Sequence, residues 1–347
     1  MKKIAIGIDF SKKTFDATIV RRNDDAFVEL AYNKFDNDTK GFKSFEKWVR
    51  VTLKDTPEAK VKSDWLFCGE HTGVCSIALC DFLVRKRYFV WLESALIIHR
   101  KCGIVRDKND RIDSRRIAEY ALRNFSEDTR PYELDSEDLK KLKSLYAAHT
   151  MLTKDKVSKV NQIKSGVLDD SSCALQEMEC QLASIEKALH EIDANIKKLL
   201  TESEEFKHNY EILDSFKGTG PITIACLIIK TRNFKYMTDS RELGCYMGVV
   251  PHKCQSGTSI DRAPRTSRYR DRNANGILSN CANISIIYNP VIKDYYHRLI
   301  ARGVIWQKAR NNCKFKIINI LLAMIRNDTK FDMEIYGKSK KQWMESA

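Results

Sequence analysis

Four acids, Asp9, Glu70, Asp110 and Asp113, stand where strand ends and one face of a helix can present them to a common ion. Asp9 closes the β-branched run Ile4-Ala5-Ile6-Gly7-Ile8, and Glu70 closes Trp65-Leu66-Phe67-Cys68-Gly69, so both carboxylates leave the ends of strands. Asp110 and Asp113 are three residues apart, which on a helix places them about 60° apart around the axis and one turn along it. Massed carboxylates repel one another unless a cation neutralises them, and hard oxygen donors suit Mg²⁺ or Mn²⁺ better than zinc. Two such ions about 4 Å apart steady both the attacking and the leaving oxygen of a phosphoryl transfer. Any one of these acids alone is an ordinary strand-end or helix-cap residue. The set of four points to metal-dependent cleavage of nucleic acid.

A second group with chemistry lies far along the chain. Residues 250–275 are dense in base, with Lys253, Arg262, Arg265, Arg268, Arg270 and Arg272 beside Tyr269, and Ser256-Gly257 sits among them. Such cations grip phosphates and make binding fall steeply with salt. A serine hydroxyl is a poor nucleophile unless a base, a metal or a strong field eases the loss of its proton, and arginines beside Mg²⁺ supply that field. By itself Ser-Gly is a common turn.

The elements that position these residues follow from periodicity. Short β-branched strands at Ile4–Ile8, Thr14–Val20 and Phe27–Phe35 predict an antiparallel start. A helix over about 40–52, a strand at Trp65–Gly69, a helix at Gly73–Val84 and a strand at Tyr88–Leu92 then alternate, which predicts an α/β domain with a mixed sheet. Ile117, Ala118, Ala121, Leu122 and Phe125 recur at helical spacing after Asp113, and Pro131 closes this unit. Asp135 is a candidate cap for a helix that is apolar at Leu139, Leu142, Leu145 and Leu152 and basic elsewhere. Leu175, Met178, Leu182, Ile185, Leu189, Ile192, Ile196 and Leu199 then step by 3 and 4 in turn, an unbroken heptad seam. A lone helix cannot bury such a stripe, so it packs in a hairpin with the preceding helix or against another protomer. Lys217-Gly218-Thr219-Gly220-Pro221 opens an apolar helix, either as a plain turn or as a place where backbone amides meet a phosphate. The remainder, through a helix at Trp306–Arg326, is mainly helical. The organisation expected is three domains, 1–130, a helical coiled-coil connector over 131–207, and 208–347.

Bulk properties agree with a folded nucleic-acid-binding protein. A chain of 347 residues exceeds the usual single-domain size. Its formal charge of +14 concentrates polyanions at the surface. The 11 cysteines contain no C-x-x-C pair, so no zinc module is visible, and their odd number argues against a complete disulfide framework and for a reducing cytoplasm. The run Ile317–Ile325 is far shorter than the roughly 20 residues needed to cross a bilayer, and the strand-like start is no secretory signal. Gly7-Ile8-Asp9-Phe10-Ser11-Lys12 is similar to the opening phosphate loop of actin-like sugar kinases, but no second phosphate loop and no Gly-Gly adenosine turn follow.

With these pieces in order, the chain resembles the DEDD insertion-sequence transposases, RNA-guided recombinases related to the Piv invertases. The likeness runs over nearly the whole length. It rests on Gly7-Ile8-Asp9, Glu70-His71-Thr72-Gly73, Asp110-Arg111-Ile112-Asp113 with Ala118-Glu119, the Gly218-Thr219-Gly220 turn, and Gly248-Val249-Val250-Pro251 leading to Gln255-Ser256-Gly257. The resemblance implies a RuvC-like (ribonuclease-H-type) N-terminal domain whose four acids hold Mg²⁺, a helical connector, and a mainly α C-terminal domain in which Ser256 attacks DNA. It further implies a covalent 5′-phosphoserine link with release of a 3′-hydroxyl. The partners implied are a guide (bridge) RNA and donor and target DNA, on a homodimer that assembles to a tetramer in which acids and serine come from different protomers. The protein would be cytoplasmic and nucleoid-associated when on DNA.

The chain departs from the family pattern in two places. Cys75 stands where the family commonly has tyrosine or another bulky residue, and Arg268, Arg270 and Asn275 stand where it has Lys-x-Gly followed by an arginine. Thr258 and Ser259 are alternative nucleophiles. Two other readings share the same residues: a RuvC-type nuclease or junction resolvase that cleaves through activated water, and a nucleic-acid-binding protein without catalysis.

Overall fold

The computed structural model describes residues 2–23, 26–59, 61–71, 73–102, 109–165, 173–256 and 260–336, with 253–256 and 260–264 described by backbone alone. The chain divides into two compact units, Met1–Asp135 and Ser136–Ala347.

In the first unit, strands β1 (Ile4–Phe10), β2 (Thr14–Asn23) and β3 (Ala26–Asp36) form an antiparallel meander. Helix α1 (Thr39–Leu53) follows, started by the Asp38 carboxylate accepting from Gly41 N. Then come β4 (Trp65–Glu70), α2 (Val74–Arg85), β5 (Phe89–Glu93), α3 (Ala95–Cys102) and α4 (Asp110–Asn124). The five strands make one sheet in the order β3-β2-β1-β4-β5, with β1, β4 and β5 parallel. This mixed α/β sheet is consistent with the RuvC-like expectation.

Alternation along the strands sends successive side chains to opposite faces. Ile4, Ile6, Ile8, Phe15, Phe35 and Phe67 join Phe42 and Phe45 of α1 in one core, where Phe15 and Phe45 meet edge to face with centroids 5.2 Å apart. Ala5, Val20, Leu66, Cys68 and Trp91 face the other way and pack on Ile117, Ala118 and Ala121 of α4. The acids on β1 and β4 belong to this second face.

The second unit begins with two long helices, α5 (Glu137–Lys164) and α6 (Cys173–Glu202), which pack together. Ser136, and not the expected Asp135, caps α5: its hydroxyl accepts from Leu139 N at 3.0 Å. The heptad seam is covered unevenly, with Ile196 buried and Leu175, Met178, Leu182, Ile185, Leu189 and Ile192 half-buried. Helices α7 (Lys207–Asp214), α8 (Pro221–Thr231) and α9 (Ser240–Tyr246) lead to a hairpin of β6 (Pro251–Ser256) and β7 (Ile260–Thr266). Helices α10 (Arg272–Tyr288), α11 (Pro290–Ala301), α12 (Trp306–Asn327) and α13 (Met333–Tyr336) complete it around one core. Among the described residues the hairpin is the one sheet in a region expected to be mainly helical, and its Arg-rich, Ser- and Pro-containing sequence carries no two-residue alternation that would have announced it. No described helix is long and apolar enough to cross a membrane.

Candidate active site

The acid site is built on a close approach between β1 and α4. A Cβ at Gly7 would lie 2.1 Å from the Ser114 carbonyl oxygen and 2.4 Å from the Ala118 nitrogen, so only glycine lets the helix backbone lie directly on the strand. Thr18 pairs with Gly7 in register, and its hydroxyl shares a buried 2.7 Å hydrogen bond with the Ser114 hydroxyl. These two contacts fix where α4 begins. The Asn109 side chain accepts from Ile112 N at 2.8 Å and caps that start, which leaves Asp110 and Asp113 in the first turn, where the helix dipole favours carboxylates.

Asp9 and Glu70 come from the C-terminal ends of adjacent parallel strands, with Ile8 paired to Gly69 immediately before them. Crevices at that edge of a parallel sheet are the usual place for ligands. The His71 amide donates to the Glu93 carbonyl at 2.8 Å and holds the chain just past Glu70. The Asp9 carboxyl is pushed up to about 6 from the usual 3.8, first by burial and then by the charges of Glu70, Asp113, Asp110 and Asp16. The charges of the other three predicted acids therefore all act on Asp9.

That site also contains groups the sequence reading passed over. Asp16, 3% exposed, is the cross-strand partner of Asp9 and adds a fifth carboxylate. It accepts from the Tyr32 hydroxyl at 2.5 Å and from Lys34 Nζ at 3.2 Å, and the same Nζ reaches Asp110 Oδ2 at 3.5 Å. The hydrogen bond to Asp16 pushes the Tyr32 phenol up to about 12. Glu93, next to Glu70 in register, accepts from the Tyr120 hydroxyl at 3.0 Å. The available signal was the spacing Asp9…Asp16 across a short turn, which makes the two acids partners once the hairpin register is known.

The donor set is hard oxygen throughout, and the burial and neighbouring carboxylates that lift the Asp9 carboxyl are both conditions that a divalent cation would relieve. In chemistry the residues fit such an ion. Among the described residues, however, no three His, Cys, Asp or Glu side chains stand close enough to cage a metal. Cations of the chain occupy the acids instead, with Lys34 on Asp110 and Arg116 3.7 Å from Asp113.

In the second unit, Ser256 pairs with Ile260 at the tip of the β6-β7 hairpin. Its side chain, with those of Lys253 and Arg262, lies outside the described residues, as do Gly257, Thr258 and Ser259 entirely. Arg265, Arg268 and Arg272 are exposed near the base of the hairpin, and Arg270 folds over Gly248, donating to Thr266 Oγ1 at 3.0 Å. Gly218, at φ +124°, packs on Ser285, where a Cβ would lie 2.0 Å from the hydroxyl oxygen. The first glycine of the Gly-Thr-Gly turn thus serves packing onto α10, while Gly220 precedes Pro221 at the start of α8.

Residues 6–172 match the DEDD transposase model of the IS110 group, and residues 210–297 match the transposase model of the IS116/IS110/IS902 family. The chain is a DNA transposase or recombinase. Relatives include pilin gene-inverting proteins of Moraxella bovis and Moraxella lacunata, each 23% identical over 97% of this chain and 100% of their own. An uncharacterized 43.6 kDa protein of insertion element IS110 from Streptomyces coelicolor is 30% identical over 44% of this chain and 37% of its own. The first match spans all four acids of this transposase, and a DEDD family implies the use of a divalent metal. The second match spans the hairpin and the Gly-Thr-Gly turn.

Proposed function

We propose that this transposase is an RNA-guided recombinase that cleaves and rejoins DNA through Mg²⁺ chemistry and a covalent phosphoserine. What supports the reading is the match of residues 6–172, which spans Asp9, Glu70, Asp110 and Asp113, to the DEDD transposase model, together with the charges of Glu70, Asp113 and Asp110 that act on the buried Asp9 carboxyl. These four acids would hold the ions. A divalent ion bound there would polarise phosphoryl oxygens and favour the ionised nucleophile. Ser256 is the nucleophile: its Oγ bonds to phosphorus as its proton leaves to solvent, the bond from phosphorus to the 3′-oxygen breaks, and that oxygen takes up a proton from solvent. The products are a 5′-phosphoserine and a 3′-hydroxyl. Attack of a 3′-hydroxyl on that phosphoserine reseals DNA and returns the serine.

Lys253, Arg262, Arg265, Arg268, Arg270 and Arg272 hold the DNA backbone. Base pairing with a guide RNA selects donor and target, which leaves the protein to read backbone and shape. The α5-α6 hairpin serves as the connector through which protomers pair before assembling to a tetramer, in a cytoplasmic, nucleoid-associated complex.

Substitution Ser256→Ala with the four acids intact tests the serine. Loss of both recombination and the protein–DNA adduct that survives denaturation is expected. Undiminished recombination refutes the assignment, and cleavage without any adduct turns the reading to a RuvC-type nuclease. Sequencing RNA recovered with the purified full chain tests the guide, and a chain that recombines free of RNA refutes it.

A further inference from the structure

Lys314 is a lysine of α12 that is only 6% exposed, and its Nζ donates to the neutral Asn275 Oδ1 at 3.2 Å. The charges that act on it are cationic: burial first, then Arg310 one turn back on α12, then Arg270, lower the ammonium to about 8. Desolvating an ammonium beside two guanidiniums is unfavourable until an anion joins them.

The surroundings are latched in place. Asn275 Nδ2 donates to the Met247 carbonyl at 2.7 Å and the Gly248 carbonyl at 3.2 Å, and Asn311 Nδ2 donates to the Val249 carbonyl at 2.8 Å. Gly248 takes φ +69°, and a Cβ there would lie 2.0 Å from Arg270 Cδ, so the arginine lies flat on the turn. Arg270 donates to uncharged oxygens, Thr266 Oγ1 and the Ser267 carbonyl, and Arg310 stacks on the half-exposed Trp306 ring, 5.2 Å from its centroid. Both guanidiniums are only partly buried, so an arriving anion can meet them, with the Lys314 charge behind.

We infer that Arg270, Arg310 and Lys314 form a seat for one backbone phosphate of DNA, separate from the phosphate that is attacked. The separation rests on the proposed role of Ser256. The seat adjoins the Pro251–Thr266 end of the hairpin, whereas Ser256 pairs with Ile260 at the other end. Five residues of strand span roughly 17 Å, or about five base steps of duplex. The seat therefore sets the register of the flanking DNA and takes no part in bond breaking.

The test is the salt dependence of binding of the full chain to a short labelled DNA duplex. Lys314→Met keeps the size of the side chain and removes its charge, and Arg310→Gln removes the outer cation. The double variant is expected to bind several-fold more weakly and to lower the slope of log affinity against log salt by about 1, with the melting temperature unchanged or raised. A melting temperature that falls while the slope stays at the wild-type value shows a structural lysine and overturns the seat. If Lys314→Met fails to fold, Arg310→Gln alone decides: a diminished slope supports the seat and an unchanged one overturns it. The same slope read with single-stranded RNA overturns the DNA assignment if the loss is confined to RNA. Repeating the titration in Ser256→Ala separates the two readings, because the slope is measured without any reaction.

Discussion

The hydroxyls of Thr18 and Ser114 meet at 2.7 Å in the buried seam between β2 and α4, directly across from the glycine on which α4 rests. One short contact thus sets the height of the helix whose first turn carries Asp110 and Asp113. In Gly7→Ala the new methyl carbon must displace the Ser114 carbonyl, 2.1 Å away, and the adjoining helix backbone. The helix has to move outward, which separates its acids from Asp9. Overpacking of this kind costs about 2–3 kcal/mol, and displaced ligands lower strand cleavage by roughly tenfold to a hundredfold. Denaturant unfolding and a single-turnover cleavage assay read the two effects. Wild-type cleavage in Gly7→Ala would show that the strand–helix contact does not position the acids. Ser114→Ala is milder, about 1–2 kcal/mol, since it removes one partner of a buried hydroxyl pair.

Asp9 gives the metal-free protein a pH dependence whose sign is fixed. Its carboxyl sits near 6 in the folded chain against 3.8 ordinarily, so between those values the folded chain keeps a proton that the unfolded chain has released. The contribution of Asp9 to stability in a chelator therefore falls as the pH rises from about 4 to about 6 and stays lower above it. Asp9→Asn abolishes this fall and raises stability at neutral pH by on the order of 1–2 kcal/mol after allowance for solvent screening, while cleavage is lost. Thermal melts across pH with and without chelator measure it. The same pH dependence in wild type and Asp9→Asn would show that the Asp9 carboxyl is not lifted in the folded chain.

How legible each acid was depends on what places it. Asp9 and Glu70 could be read because an acid after a β-branched or aromatic run must sit at a strand end, and Asp110 with Asp113 because helical spacing is local. Asp16 and Lys34 could not be read in that way. They join the site through strand pairing, Asp9 with Asp16 and Asp16 with Lys34, and pairing is fixed by two hairpin turns whose register no periodicity encodes. Lys314 escaped for a related reason: a lysine beside an apolar helical stripe is usually solvated, and only the folded turn at Met247–Val249 reveals that it is covered. The heptad seam was plain in sequence, yet its coverage by α5 was one of two open alternatives.

Lys34 is predicted to weaken metal binding. Its ammonium stands between Asp16 and Asp110 at 3.2 and 3.5 Å, so an incoming ion has to take Asp110 from it. Lys34→Met removes that competitor and leaves the buried Asp16 charge with the Tyr32 hydroxyl, making the site more negative. Affinity for Mn²⁺, measured by calorimetric titration of the full chain, is expected to rise by roughly tenfold, about 1.4 kcal/mol of local electrostatics. Stability without metal falls, and added Mn²⁺ restores it. Weaker Mn²⁺ binding would identify Lys34 as a support for the acids and not as their internal counter-ion.

The uneven cover of the heptad seam separates two kinds of substitution on one helix. Ile196 and Leu200 are fully buried, so Ile196→Ala removes core contacts and costs about 2–4 kcal/mol in unfolding experiments. Ile185 and Leu189 are half-buried though α6 already packs on α5, and Met151 and Val157 of α5 are 64% and 55% exposed. A stripe that remains partly wet in a single chain, at the spacing of a coiled coil, is one that pairing between protomers, as proposed, would complete. Ile185→Lys is therefore expected to shift the chain toward monomer in sedimentation equilibrium while changing the unfolding free energy of the monomer by under about 1 kcal/mol. Because the charge enters a half-wet position, its desolvation is large only when a second helix covers it. Unchanged association in Ile185→Lys, together with a normal fold, would place the protomer contact elsewhere than on α6.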